Sequence, residues 1–210
     1  MATSLQTHPE RSTIRLQLKQ NLLLADLDES AHTELAGVVT VDDRHRGDFL
    51  LQQGVRELQQ YFVLDGLLKR IVVSAEGREL TLRFAGERDM ETSYDAWRLK
   101  TPSAYSVVCV TKARVAFLPM KEWVDFLERH PAAKQVFEDG VIHMTNAMMS
   151  HAIALHLRDA PGRVHDFSDK YPQLIDRLSQ KELASHLNLS AETLCRLARR
   201  PKARAALTLR

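Results

Sequence analysis

Ser179–Arg200, SQKELASHLNLSAETLCRLARR, is the stretch on which the reading of this chain turns. It has the spacing of two short helices joined by a tight turn. Ser179 is placed to cap the first helix, where its hydroxyl can accept from an orphan backbone N–H. Leu183 and Leu187 supply that helix's buried face, and Ala184 is small enough for a close crossing. Asn188 stands where the turn calls for left-handed backbone, which Asn adopts more readily than most residues. Ser190 can cap the second helix, and Leu189, Leu194 and Leu197 close a small core. Left outside are Ala191, Glu192, Cys195, Arg196 and Arg199. Glu192, Cys195, Arg196 and Arg199 share one helical face through spacings of three and four.

This is the pattern of a helix-turn-helix, whose second helix enters a DNA major groove. Arg can grip guanine through two hydrogen bonds and Glu can accept from cytosine N4, so Arg196 and Glu192 read as a base-contacting pair. Ser190, Thr193 and Arg200 suit phosphate contacts, which position without specifying. Ser179 completes the candidate contact set. The alternative is an ordinary helical hairpin in which Glu192 and Arg196 form a surface ion pair.

The charge distribution sides with DNA. Of 210 residues, 44% are hydrophobic and 27% charged, with a net charge of +2. From Lys170 to Arg210 there are nine Lys/Arg against three Asp/Glu, +6, leaving 20 basic against 24 acidic residues over the first 169, −4. A basic segment coincident with the motif is what a phosphate-facing module needs. Cys109 and Cys195 are the two cysteines, too few for a disulfide framework, a four-thiolate zinc site or an iron–sulfur cluster. No apolar run reaches membrane-span length and MATSLQTHPERSTIRLQLKQ lacks a secretory pattern, so the expected location is the cytoplasm.

Working back from the motif, Asp159-Ala160-Pro161-Gly162 breaks a helical segment and is expected to begin a hinge. Before it, a long helix is expected from Pro131 to Asp159, following a shorter one in MKEWVDFLERHP. Val141, Met144, Met148, His151 and Leu155 fall on a heptad-like seam of that long helix, which predicts a homodimer; the other reading is that the stripe packs on its own chain. RGDFLLQQG, LQQYFVLDGLLKRIVVS, GRELTLRFA and AYSVVCVTKARVAFLP read as short strands punctuated by Gly47, Gly54, Gly66 and Gly77, with Glu76-Gly77 the clearest hairpin. The polar interval Gly86–Pro102, holding Tyr94 and Trp97, suits a short helix within the roll. Two helices precede the strands, one over Thr13–Ala25 and one in DESAHTELAGVV with Asp28 as its N-cap.

With this order in view the sequence resembles the Crp/Fnr family of bacterial transcription regulators. GDFLLQQG and YFVLDGLLKRI match its glycine-punctuated roll. SAETLCR looks like its Ser-x-Glu-Thr-x-x-Arg recognition helix, and KYPQLIDRLSQKELASHLNLSAETLCRL and FAGERDMETSYDAWRLKTPSAYSV are similar to one subgroup. The resemblance implies an α+β fold: an N-terminal antiparallel β-roll of jelly-roll, cyclic-nucleotide-binding type over 1–128, a long dimerisation helix over 129–160 and a C-terminal helix-turn-helix over 161–210. It implies Glu192 and Arg196 as base readers, with Cys195 where part of the family has Ser and Ala191 where some members have Arg. PKARAALTLR after Arg200 is short for the family's two-stranded wing. Its partners would be a palindromic double-stranded DNA site, a second copy of the chain, RNA polymerase and a small-molecule effector.

The effector is where the sequence departs from the family. Nucleotide-binding members supply a Gly-Glu pair for the ribose and an Arg for the phosphate, a charge-assisted contact. Here the Gly-Glu position falls on Thr92-Ser93 and the Arg position on Ser103, followed by Ala104 and Tyr105. Neither charge is retained, so the expected effector is not cyclic AMP. A candidate pocket would be lined by these residues with Trp97, Met144 and Met148; the same side chains could equally be plain core. His143, His151 and His156 lack the spacing of a local metal pair, and no metal or cofactor is expected. No nucleophile elbow, metal triad or phosphate loop argues for an enzyme. The second reading is a ligand- or protein-binding signalling module that has lost DNA binding.

Overall fold

The computed structural model describes residues 2–198. Nine strands are present: β1 (Thr3–Ser4), β2 (Thr40–Arg44), β3 (Phe49–Leu51), β4 (Gln59–Asp65), β5 (Leu68–Val73), β6 (Glu79–Ala85), β7 (Met90–Thr92), β8 (Ser106–Cys109) and β9 (Ala113–Pro119). They form a five-stranded sheet in the order β1-β2-β9-β4-β7 and a four-stranded sheet in the order β3-β8-β5-β6. β4 runs antiparallel to β9 from Gln59 opposite Pro119 to Asp65 opposite Arg114. β4 turns into β5 at Gly66, whose φ of +91° and close approach to the Lys112 carbonyl leave no room for a Cβ. The expected hairpin at Glu76-Gly77 is also present, with Gly77 N–H donating to the Ser74 carbonyl at 2.9 Å.

The helices are α1 (Arg11–Lys19), α2 (Glu29–Val38), α3 (Tyr94–Leu99), α4 (Met120–Arg129), α5 (Pro131–Leu157), α6 (Ala160–Lys170), α7 (Gln180–His186) and α8 (Ala191–Ala198), with a 3-10 helix at Pro172–Arg177. By backbone contacts the chain divides into two compact units. The first holds the chain up to Val72 and Phe84–His143; the second holds Val73–Arg83 and the chain from Met144 onward. The long helix is therefore shared between the units rather than standing as a segment of its own.

In the first unit, Phe62 and Leu118 of the larger sheet bury against Ile14 and Leu18 of α1, Leu35 of α2, Trp123 and Phe126 of α4, and Phe137 of α5. Trp123 lies at the centre of that cluster, 5.4 Å from each of the Phe62, Phe126 and Phe137 rings. A second cluster, including Tyr61, Val63, Leu68, Val107 and Val115, fills the space between the sheets. In the second unit Val164, Phe167, Leu174, Leu183, Leu187, Leu194 and Leu197 are buried.

Two expectations are corrected here. The first helix ends at Lys19 rather than Ala25, because Asn21 folds its amide oxygen back onto the Leu23 N–H and donates its amide to the Asp89 carbonyl. Asp159–Gly162 begins a helix rather than a hinge. The Asp159 carboxylate accepts from the Gly162 N–H at 2.9 Å, and Pro161 sits in the first turn, where its missing N–H has no partner to lose.

Candidate nucleic-acid interface and effector site

The helix-turn-helix assembles from local signals. Ser179 accepts from the Glu182 N–H while the Glu182 carboxylate accepts from the Ser179 N–H, a reciprocal capping box that starts α7. Leu183, Ala184 and Leu187 are buried, as the sequence suggested. Asn188 takes φ +51° and turns the chain left-handed. Ser190 then accepts from the Thr193 N–H at 3.1 Å and caps α8. Leu194 and Leu197 point into the core. Ala191, Glu192 and Arg196 are exposed, with Thr193 and Cys195 half-buried between them. Arg199 and Arg200, and the residues that would form a wing, lie outside the described residues.

The roll interior holds a feature the sequence did not announce. Arg70 of β5 and Glu91 of β7 are 2% and 0% exposed. The Arg70 guanidinium donates through Nε and Nη2 to one Glu91 oxygen at 2.9 and 2.6 Å, and through Nη2 to the Thr92 carbonyl at 3.1 Å. Its carbon lies 3.9 Å from the centre of the Tyr105 ring. The Tyr105 hydroxyl donates toward the Thr92 carbonyl and lies 3.0 Å from the Asp95 carboxylate. Burial by itself would lower the Arg70 pKa, but the adjacent Glu91 carboxylate outweighs it and the net shift is upward. Burial pushes the Tyr105 phenol up. Of the eight residues expected to line a pocket, Thr92, Ser93, Ser103 and Tyr105 come together here and are buried. Trp97 and Ala104 are exposed, and Met144 and Met148 belong to the second unit.

Residues 44–130 match the model of the cyclic nucleotide-binding domain. The matched segment runs from the end of β2 through α4. Among solved structures the chain resembles CLP, described as the c-di-GMP responsive global regulator of Xanthomonas campestris, with 14% identity and a TM-score of 0.68 over 85% of this chain and 93% of that one. It also resembles FixK2 from Bradyrhizobium japonicum, with 15% identity and a TM-score of 0.65 over 76% and 82% of the two chains. The catabolite activator protein of Thermus thermophilus is matched at 17% identity and a TM-score of 0.55, over 83% of each chain. At these identities the likeness establishes the fold, that of the Crp/Fnr regulators. No curated protein sequence matches the chain.

The match raises the question of how this segment's residues would meet a cyclic phosphate. Ser103, expected at the position of the family's phosphate Arg, spends its hydroxyl on the Tyr105 carbonyl at 2.7 Å. The buried cation of this region, Arg70, is already neutralised by Glu91, and a second anion would have to enter beside that carboxylate. The Thr92 Oγ1 and Ser93 Oγ atoms are buried without a hydrogen-bond partner. Arg70 and Glu91 carried no legible signal: in LLKRIVV an inward-pointing Arg looks like any strand-edge charge.

The residues of the expected dimer seam on α5 are half-buried within the single chain. Val141 packs against the first unit's apolar core, Met144 accepts a hydrogen bond from Arg83, and His151 stacks on His186. Met148 and Leu155 are half-buried. These residues thus face their own protomer. The exposed apolar side chains of the helix are Ile142, Met149, Ile153 and Leu157, which follow a separate stripe. No described helix is long and apolar enough to cross a membrane.

Proposed function

We propose that this chain is a homodimeric, sequence-specific DNA-binding transcription regulator of the Crp/Fnr type, controlled by an effector other than cyclic AMP. The observation that carries the reading is the helix-turn-helix itself. Two independently capped helices meet at a left-handed Asn188, and the second exposes Glu192 and Arg196. Exposed side chains of these types on the first turns of a second helix suit base edges in a major groove. The Crp/Fnr fold and the basic C-terminal segment support the same conclusion. Two-fold recognition of a palindrome needs two copies of the chain, and the stripe Ile142, Met149, Ile153 and Leu157 of α5 is the surface through which they would pair. The paired, buried Arg70–Glu91 unit supports exclusion of cyclic AMP.

Affinity for a random-sequence duplex, followed by fluorescence anisotropy across a salt series, tests this reading against the signalling module without DNA binding. A DNA binder gives log affinity falling linearly with log salt as phosphate counterions are released. Absence of binding even at low salt would favour the module.

A further inference from the structure

Outside the proposed DNA face, the second unit stacks a half-buried histidine on a buried one. The His151 ring of α5 and the His186 ring of α7 stack with centroids 3.8 Å apart and planes 2° from parallel. His186 is 4% exposed and meets Phe167 of α6 edge to face at 5.4 Å. His151 Nε2 lies 2.9 Å from the His186 carbonyl, and His186 Nδ1 lies 3.1 Å from the Thr81 carbonyl of β6. A carbonyl only accepts, so each of these ring nitrogens carries its proton and the tautomers are set. The rings therefore join three elements of one unit: α5 to α7 through the His186 carbonyl, and α7 to the strand segment through Thr81. Ser185 reinforces the second link, 3.1 Å from the Thr81 hydroxyl, and Arg78 donates to the Asn188 side chain.

We propose that the stacked pair His151–His186 is a proton-sensitive latch, which holds α7 on the Glu79–Arg83 segment while both rings are neutral and releases it when they take up protons. A proton on His186 places a charge in a site that is 4% exposed, and a second proton on the half-buried His151 sets two like charges face to face. The surrounding charges offer little relief. On α6 the Asp166 carboxylate is shared between Arg158 at 3.1 Å and Lys170 at 3.0 Å, and Arg163 donates to the Leu187 carbonyl. On α7 Glu182 is engaged in the capping box, and on the strand segment Arg78, Glu79 and Arg83 contribute two cations and one anion. Burial, and then the neighbouring His151, push His186 down to about 3; burial likewise lowers His151.

The sign follows from these directions. Because the closed-state pKa lies below the ordinary value, neutral rings stabilise closure above about pH 6.5, and that stability is lost as pH falls and the open state binds protons. A His186 that moves from about 3 when closed to 6.5 when open raises the opening equilibrium about 30-fold by about pH 5. The device concerns the closure of α7, so it stands whether or not a DNA target is found.

Hydrogen exchange of the full chain by mass spectrometry, corrected for the intrinsic pH dependence of exchange, reads the latch directly. Between about pH 8 and about pH 5, protection of Gln180–His186 should fall about 30-fold while β4 holds its own. His186→Phe keeps an aromatic ring in the stack without a titrating nitrogen and should flatten that profile. Unchanged α7 protection in the wild type, or an equal fall in His186→Phe, would overturn the proposal. If the variant does not fold, an NMR titration of the wild-type histidine ring protons decides. The latch requires the His186 resonance to stay neutral well below the ordinary histidine range until α7 opens, and titration near pH 6.5 with α7 still protected would contradict it.

Discussion

Replacing Arg70 by Met would keep most of the side chain's volume and remove the guanidinium that donates twice to Glu91, a carboxylate at 0% exposure. Breaking a buried pair from one side costs about 3–5 kcal/mol, which urea denaturation should register as an earlier midpoint with an unchanged slope. Titration calorimetry of the wild type with cyclic AMP should show no binding heat, because the guanidinium that could meet a phosphate is already satisfied. The helix-turn-helix residues were legible in the sequence because their signals are local: Ser179, Asn188 and Ser190 each act within four residues of themselves. Arg70 and Glu91 were not, since they are 21 positions apart and stand on strands of two different sheets, β5 and β7, that only the tertiary fold brings together. His186 was missed for the same reason, its partners being Thr81 and His151.

Helix α5 carries two apolar stripes, and periodicity alone cannot say which one faces the protomer. Val141, Met144, Met148, His151 and Leu155 keep the better heptad spacing, yet they are the half-buried set. Ile142, Met149 and Ile153 are 56%, 60% and 50% exposed, which marks them as the surface left for a second copy. Ile153→Asp should therefore shift the protein toward monomer in sedimentation equilibrium while leaving its circular dichroism unchanged. A fully dimeric Ile153→Asp would place the interface elsewhere. Strands long and apolar enough to stand out, such as β4 and β9, were readable from their runs of Val, Leu, Phe and Tyr, with Gly66 marking the end of β4. β7, three residues in a polar interval, and β2, carrying two Asp and an Arg, form because β4 and β9 offer them an edge. A strand specified by its neighbour leaves little trace in its own sequence.

Across the whole chain the resemblance, the charge asymmetry and the fold agree on a β-roll followed by a helix-turn-helix. The domain retains the architecture of cyclic nucleotide binders, and its interior charge balance is closed by an Arg and a Glu of its own. An effector of the proposed regulator would have to bind two states of the protein unequally. The most direct test of the central claim is selection of bound sequences from a random duplex pool by the purified protein, in parallel with Arg196→Ala. The account predicts a palindromic consensus for the wild type, with Arg196→Ala relaxing discrimination at one base pair per half-site by about 1–3 kcal/mol and leaving the other positions intact. Recovery of no consensus under any salt condition, or a uniform loss across all positions in the variant, would contradict the assignment of α8 as the reading helix.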